Sequence, residues 1–558
     1  MIAINRKKVT MKIPVLNTLL VITLITSFGL SFCGNTSVKN NKAEKDSIEA
    51  VKAWNKTIPG NFSEQKIIRF DSLAIDSFFK DYPQLVSLDS NLELFYKKRD
   101  HTYAWFDQDG LIEQAGNLVA RVSNLKEEGL FTEPPYKKDL DSLLLETRAE
   151  KSGSQPNTKL ELMLTAQYFN FAQRVWEGAD QNTRTSLKWY LPRKKVSYEE
   201  YLDSLLVSSP EQQKSIKEPV YRQYELLKVF LERFRKMDKQ GNDWPQIVIG
   251  QTSYRILDFS ATIAQIKKRL FLLEDFKGDT SSYLFDEELF HSVQEYQTRL
   301  GLSPDGVIGK GTLATLNTTP KERIKQILVN MERCRWLPLS LQENYLAVNI
   351  PEFKLHVYHA DSLLWSCNAV VGKDLHQTVT FSGDIKYVVF SPYWNVPASI
   401  VRNEIIPAMN RNRNYISKSN MEITGYSGGL PIVRQKPGPN NSLGLVKFLF
   451  PNSYNIYLHD TPAKSLFNES SRAFSHGCVR IAEPEKLARF LLQGDSTWTN
   501  DAINKAMHAG KEKYVTLKKT VPVFITYFTA FVDRGGKINF RKDIYDRDER
   551  LADMILKD

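Results

Sequence analysis

The stretch that decides the fold reads A-F-S-H-G-C-V-R-I at 473–481, with Y-L-H-D upstream at 457–460. Three features set Cys478 apart from an inert cysteine. It follows Gly477, which lets the backbone approach another group closely and leaves amide N–H groups available. It stands beside His476 and Arg480, basic groups that favour a thiolate. His459, nineteen residues earlier, ends an alternating apolar run. A nucleophilic cysteine needs a base within hydrogen-bond reach, and that base needs an orienting partner. Two strands of one sheet supply this arrangement without sequence adjacency.

Outward from that stretch, residues 321–545 are rich in period-two runs: YLAVNI (345–350), KLHVYH (354–359), NAVVG (368–372), YVVFSPYW (387–394), NIYLHD (455–460) and PVFITYFTAFV (522–532). These predict a β-rich domain with a few helices. A long excursion interrupts it. A helix is expected over 400–410, followed by the turn-rich stretches TGYSGGLP and KPGPNN. An insertion of this length, about 398–450, reads as a cap. The last residues, 546–558, read as a charged tail.

Upstream the periodicity is helical. In 250–320, Leu289, Val293, Tyr296 and Leu300 mark one helix face, S-P-D-G-V-I-G (303–309) supplies turns, and a short helix follows at 312–316. In 66–249, helices are expected from Leu118, Val119, Val122 and Leu125, from Leu160 to Phe171, and over 221–234. No cluster of catalytic groups stands out there, and the region reads as a scaffold. Residues 34–65, rich in Asn, Lys, Ser and Glu, read as a tether. Residues 13–30, IPVLNTLLVITLITSFGL, follow a basic start and read as an export segment within 1–33. Cleaved signal and uncleaved anchor both fit. Cys33, three positions after Leu30, resembles a lipoprotein lipidation site, although Phe32 stands where a small residue is usual.

Composition narrows the function classes. The chain has 558 residues, 42% hydrophobic and 25% charged, which excludes a mostly disordered protein. Its four cysteines exclude a disulfide scaffold, and without a C-x-x-C pair a zinc ribbon is excluded too. The net charge is +11, of which Arg6, Lys7, Lys8 and Lys12 belong to the export segment, leaving +7. With no nucleic-acid-binding signature, that balance points to an acidic polymer or membrane surface. Neither a cofactor nor a metal is expected, since no H-E-x-x-H or comparable ligand set is present. Whether Cys334 and Cys367 pair stays open, because spacing does not fix disulfide geometry. His101, His291, His356, His359, His376 and His508 read as surface or core residues.

At the quoted motif the chain resembles the L,D-transpeptidase catalytic domain of YkuD type: His459, fifteen residues, then Ser475, His476, Gly477, Cys478, Val479 and Arg480. The likeness extends to R-W-L-P (335–338), V-N-I-P (348–351), V-V-G-K (370–373), F-S-P-Y-W-N-V-P-x-S-I (390–400) and R-Q-K-P-G-P-x-N-x-L-G-x-V-K-F (434–448). These resemble the large multidomain YcbB-type branch. The run V-x-x-Y-Q-x-x-x-G-L-x-x-D-G-V-I-G-x-x-T-L-x-x-L-N (293–317) resembles a small three-helix peptidoglycan-binding domain. The resemblance implies a multidomain α+β chain: helical scaffold, three-helix unit and β-rich catalytic domain with a capping insertion. It assigns Cys478 as nucleophile and His459 as base, oriented by the backbone carbonyl of Asp460. It places the oxyanion hole at N–H groups near Gly477 and Cys478, with Ser475, His476 and Tyr457 in support. Arg480 would bind a stem-peptide carboxylate, and Trp394 and Asn395 would line the cleft.

The implied function is peptidoglycan 3→3 cross-linking through a cysteine thioester. Partners would be a donor tetrapeptide and an amine acceptor, with the membrane reached through the N-terminal segment. The implied location is the periplasm of a Gram-negative-type cell. L,D-carboxypeptidase activity, wall-protein attachment and non-catalytic wall binding remain alternatives.

Overall fold

The computed structural model describes residues 68–107, 110–149, 156–208, 217–240, 244–248, 250–338, 343–360 and 362–556. The export segment with Cys33 and the tether over 34–65 lie outside the described residues.

Helices Leu73–Asp81, Asp89–Lys98, Glu113–Ser123, Lys137–Ala149, Tyr198–Val207 and Gln223–Lys239 fill the first part, with a two-residue hairpin of Phe106–Asp107 (β1) and Gly110–Leu111 (β2). The helix Thr158–Phe171 is buried on nearly every side. Asn157 caps its start, accepting from the Leu160 N–H at 3.0 Å. A buried carboxylate in its first turn must be satisfied, and Glu161 is: it accepts from the Tyr96 hydroxyl at 2.8 Å and from the Ala104 and Trp105 N–H groups at 2.6 and 3.0 Å. Burial pushes its carboxyl up to about 7.

Three helices follow: Ala261–Leu272, Glu287–Arg299 and Lys310–Leu316. Gln297 staples the S-P-D-G turn, accepting from the Gly306 N–H at 2.9 Å and donating to Asp305 Oδ1 at 2.8 Å and the Val307 carbonyl at 2.9 Å. Only glycine fits at 306, where φ is +70° and a Cβ would meet Phe290 Cε2 at 2.2 Å. A capping box of Thr319 and Glu322 then starts the helix Pro320–Arg335.

From Asn344 the chain turns to strands: Asn344–Asn349 (β3), Lys354–His359 (β4), Ser362–Gly372 (β5), Phe381–Phe390 (β6), Trp394–Asn395 (β7), Met421–Ser427 (β8), Leu430–Gln435 (β9), Val446–Leu449 (β10), Leu458–His459 (β11), Ala473–Ser475 (β12), Val479–Ile481 (β13), Lys513–Thr526 (β14), Ala530–Val532 (β15) and Ile538–Phe540 (β16). The main sheet runs β5–β13–β11–β10–β6–β14–β3–β4, and β4 pairs back onto β5, closing the ring. β12 adds to β5 at Val371 and Gly372. Strand alternation sends Leu346, Val348, Leu355, Val357, Val446, Phe448, Leu458, Val479, Val523 and Ile525 inward, all fully buried. Each such side chain contributes about 1.5–3 kcal/mol on burial.

β7, β9 and β8 form a separate small sheet in the cap. With Ile400, Val401, Ile405, Met421 and Val433 they build an apolar cluster distinct from the main core.

Three expectations are corrected. The cap ends before 446, because Val446 and Phe448 are inward members of the barrel. The NIYLHD run contributes only Leu458 and His459 as strand: Asn452 Oδ1 accepts from the N–H groups of Tyr454 and Ile456 at 3.0 and 3.2 Å, and Asn455 is left-handed at φ 56°, so the chain turns there. The charged tail holds a packed helix, Arg547–Ile555, with Leu551 and Ala552 buried. Asp548 pairs with Arg333 at 2.6 Å and accepts from the Thr529 hydroxyl at 2.6 Å. Replacing Leu551 by alanine is therefore expected to cost about 2–5 kcal/mol of unfolding free energy. Urea denaturation followed by circular dichroism measures it, and an unchanged midpoint would refute the packing role of this helix.

Candidate active site

Parallel pairing of β11 with β13 sets Leu458 beside Val479 and His459 beside Arg480. Leu458 and Val479 point into the core, so Tyr457, His459, Cys478 and Arg480 all project from the opposite face. β10 adds Lys447 to that face, opposite His459.

The bend before β13 is held from both ends. The Gly477 N–H donates to Ser475 Oγ at 3.1 Å, and that hydroxyl donates to the Cys478 carbonyl at 2.5 Å. Gly477 has φ +114°, a value that favours glycine. The Val479 N–H donates to the Tyr457 carbonyl at 3.1 Å. The Gly477 N–H is thus committed to Ser475. Among the described residues, the Cys478 backbone N–H donates to nothing.

A residue outside the motif completes the bend. Thr378 Oγ1 donates to the Gly477 carbonyl at 2.9 Å and accepts from the Gly372 N–H at 2.9 Å. The Thr378 N–H donates to the Tyr545 hydroxyl at 3.2 Å, which donates to the Gly372 carbonyl at 2.5 Å, and Arg547 Nη2 donates to the Thr378 carbonyl at 3.2 Å.

His459 is buried, its Nδ1 2.6 Å from the Asp460 carbonyl oxygen. That bond makes Nδ1 the protonated nitrogen and leaves Nε2 as a base. The Asp460 carboxylate is engaged elsewhere, accepting from the Leu445 N–H at 2.8 Å and pairing with Lys464 at 2.5 Å. Burial pushes the His459 imidazole down to about 3, helped by the Arg480 and Lys447 charges and opposed by the Asp460 carbonyl. Burial also pushes the Cys478 thiol up, against the pull of Tyr457 and the Arg480 guanidinium. The thiol lies 3.5 Å from the Asn455 carbonyl. The resting pair is therefore neutral thiol and neutral imidazole. This corrects the expectation that nearby basic groups favour a thiolate: desolvation outweighs them.

His476 is engaged by the cap. Its Nε2 lies 2.8 Å from Glu404 Oε1 of the cap, and its ring sits 5.1 Å from that of His376. Arg480 is half-buried, and its Nε has no partner among the described residues. Trp394 packs against the cap's own apolar cluster, while Asn395 is exposed and pairs with Arg434 across the cap sheet. Cys334 and Cys367 are both free and buried, so they do not form a disulfide. Burial raises both thiols, that of Cys367 to about 11.

Sequence reasoning passed over Thr378, Lys447 and Glu404, while His376, read as a surface or core residue, is exposed. Lys447 carried a signal, a polar residue outward in the V-K-F run. Thr378 and Glu404 carried none, because they reach the motif only through folding.

Residues 343–501 match the YkuD family of L,D-transpeptidase catalytic domains, and residues 90–231 match a scaffold-domain family. A Haemophilus influenzae (strain Rd) protein described as "Putative L,D-transpeptidase" is 33% identical over 256 residues, covering 42% of this chain and 51% of its own. The chain thus spans about half the length of that curated relative. Among solved structures, the L,D-transpeptidase (Yku) from Stackebrandtia nassauensis aligns at TM-score 0.23 and 14% identity, over 52% of this chain and 100% of that one. The L,D-transpeptidase from Mycobacterium smegmatis aligns at TM-score 0.19 and 12% identity, over 34% and 61%.

In the folded protein, iodoacetamide is expected to label Cys478 well before Cys334 or Cys367, read by peptide mass spectrometry. Its rate should climb from about pH 7 to about pH 9 without a plateau, as a raised thiol requires. A plateau below pH 7 would mean a thiolate–imidazolium pair and overturn the neutral resting state.

Proposed function

The chain carries an L,D-transpeptidase catalytic domain of the YkuD family over residues 343–501, and on that footing we propose that it forms 3→3 cross-links in peptidoglycan through a Cys478 thioester. The observation that carries this is the shared face of Cys478, His459, Tyr457 and Arg480, with the His459 base nitrogen left free by the Asp460 carbonyl.

His459 Nε2 takes the thiol proton as the sulfur attacks the carbonyl of the third stem residue, a diamino acid. A neutral pair suits this, since the charge separates only as the bond forms. The oxyanion meets the Cys478 N–H and the Tyr457 hydroxyl beside the sulfur. The C–N bond to the terminal D-Ala breaks, and its amine leaves with the proton from His459. The side-chain amine of a second stem then attacks the thioester and loses a proton to His459. The products are a new amide and the free thiol. Arg480 binds a stem carboxylate, its lack of a partner among the described residues supporting that role. With water in place of the amine, the same acyl-enzyme gives L,D-carboxypeptidase activity. On the export reading of residues 1–33, the reaction takes place at the cell envelope, with the chain held to the membrane.

A carbapenem or tetrapeptide donor is expected to leave an adduct on Cys478, seen by intact mass. Cys478→Ala should carry none and form no dimers from purified muropeptides; dimers from that variant would overturn the mechanism. His459→Gln should lower kcat by about a hundredfold to ten-thousandfold. Thr378→Val, which removes the bond to the Gly477 carbonyl, should lower kcat by about tenfold to a hundredfold at unchanged KM. A raised KM instead would assign Thr378 to substrate binding.

A further inference from the structure

A cavity of about 580 Å³ opens on the outer face of the barrel, between β3, β4 and β14, the start of the helix Gln223–Lys239 and the β15–β16 hairpin. None of its lining residues belongs to the Cys478 site. The alternation that sends Leu346, Val348, Leu355 and Val357 inward leaves Tyr345, Ala347, Lys354, His356 and Tyr358 outward, beneath this space.

Its floor is aromatic. Tyr345 and Tyr358 face each other across β3 and β4, ring centroids 4.6 Å apart and planes 9° from parallel. Phe524 meets Tyr345 edge-on at 6.1 Å. The pair covers one face of each ring, and Tyr345 is buried, so the floor is a packed apolar surface.

Its charges are unevenly committed. Two carboxylates line it, and both are occupied. Glu352 takes His356 Nε2 at 2.9 Å, Asn349 Nδ2 at 3.3 Å and Arg541 Nη2 at 3.9 Å. Asp533 accepts from the Lys537 N–H at 3.0 Å and Asn539 Nδ2 at 2.8 Å. Four cations line the same space: Arg222, Lys354, Arg534 and Arg541. Among the described residues, Arg222 and Lys354 make no contact ion pair, although the Lys354 charge reaches Glu352. Arg222 lies among the hydroxyls of Tyr221, Tyr345 and Tyr358. Cations without a contact ion pair, lining a cavity whose own carboxylates are occupied, select an anionic ligand.

We propose that this cavity is a second binding site, separate from Cys478, for a carboxylate-bearing peptide, with its carboxylates on Arg222 and Lys354. The choice of a wall stem peptide rests on the transpeptidase reading above. The site holds a wall fragment on the strands across the barrel from the catalytic face and takes no part in the chemistry.

The test is hydrogen exchange with mass spectrometry on the full chain bearing Cys478→Ala, so that ligand is not consumed. The probe is purified disaccharide-tetrapeptide, with a neutral N-acetylglucosamine oligomer beside it. The disaccharide-tetrapeptide is expected to slow exchange over 345–358 and 524–534, and the neutral oligomer to do so more weakly. Arg222→Ala with Lys354→Ala should weaken binding at those segments by about tenfold, leaving protection over 455–480 unchanged. With Cys478 intact, this double variant should keep wild-type turnover of soluble donors, which also shows that it folds. Slowing confined to 455–480 overturns the second site and leaves the transpeptidase reading standing. Slowing at neither segment also overturns the site, and the Cys478 adduct mass then decides the transpeptidase reading alone. Slowing over 345–358 that survives the double substitution, or is equal for the neutral oligomer, overturns recognition through the carboxylates.

Discussion

Leu458 and Val479 lie side by side in the barrel wall, inward members of two parallel strands, and what faces outward follows from that contact. Register in a sheet has a period of two, so a slip by one residue would turn His459 into the core and put Leu458 in its place. The apolar pair therefore fixes the positions of base and nucleophile with no bond between them. It also explains how two groups nineteen positions apart in the chain can act together.

Around this wall the chain holds the bend at Gly477 from distant points. Thr378 comes from the connection between β5 and β6, Tyr545 and Arg547 from the C-terminal end, and Glu404 from the cap. Helix Arg547–Ile555 is pinned in turn to helix Pro320–Arg335 through Asp548 and Arg333. The last residues of the chain are thereby tied to the position of its central loop. The cap differs, since its apolar cluster is its own. It is still tied to the site at two points, by the Glu404–His476 ion pair and by the Leu445 N–H, which donates to the Asp460 carboxylate beside the base.

Much of this was legible in the sequence. The period-two runs mark the barrel strands, the helical stripes mark Thr158–Phe171 and Glu287–Arg299, and the S-H-G-C motif marks the site. What escaped has physical reasons. Asn452 diverts the start of the NIYLHD run into a turn by capturing backbone N–H groups with its side chain. The C-terminal helix is charged along most of its length and was hidden by its own solvent face, with only Leu551 and Ala552 as a buried edge. The direction of the Cys478 shift was also hidden, since adjacency in sequence shows Arg480 but not the packing around the half-buried sulfur.

The raised thiol has a further effect. Peroxide and other two-electron oxidants attack the thiolate far faster than the thiol. A cysteine kept protonated at rest, with its base uncharged at the same time, is a poor target for them. Ionisation coupled to acylation confines the vulnerable form of the sulfur to the moment of reaction. The packing that makes Cys478 a reluctant acid also makes it a durable one.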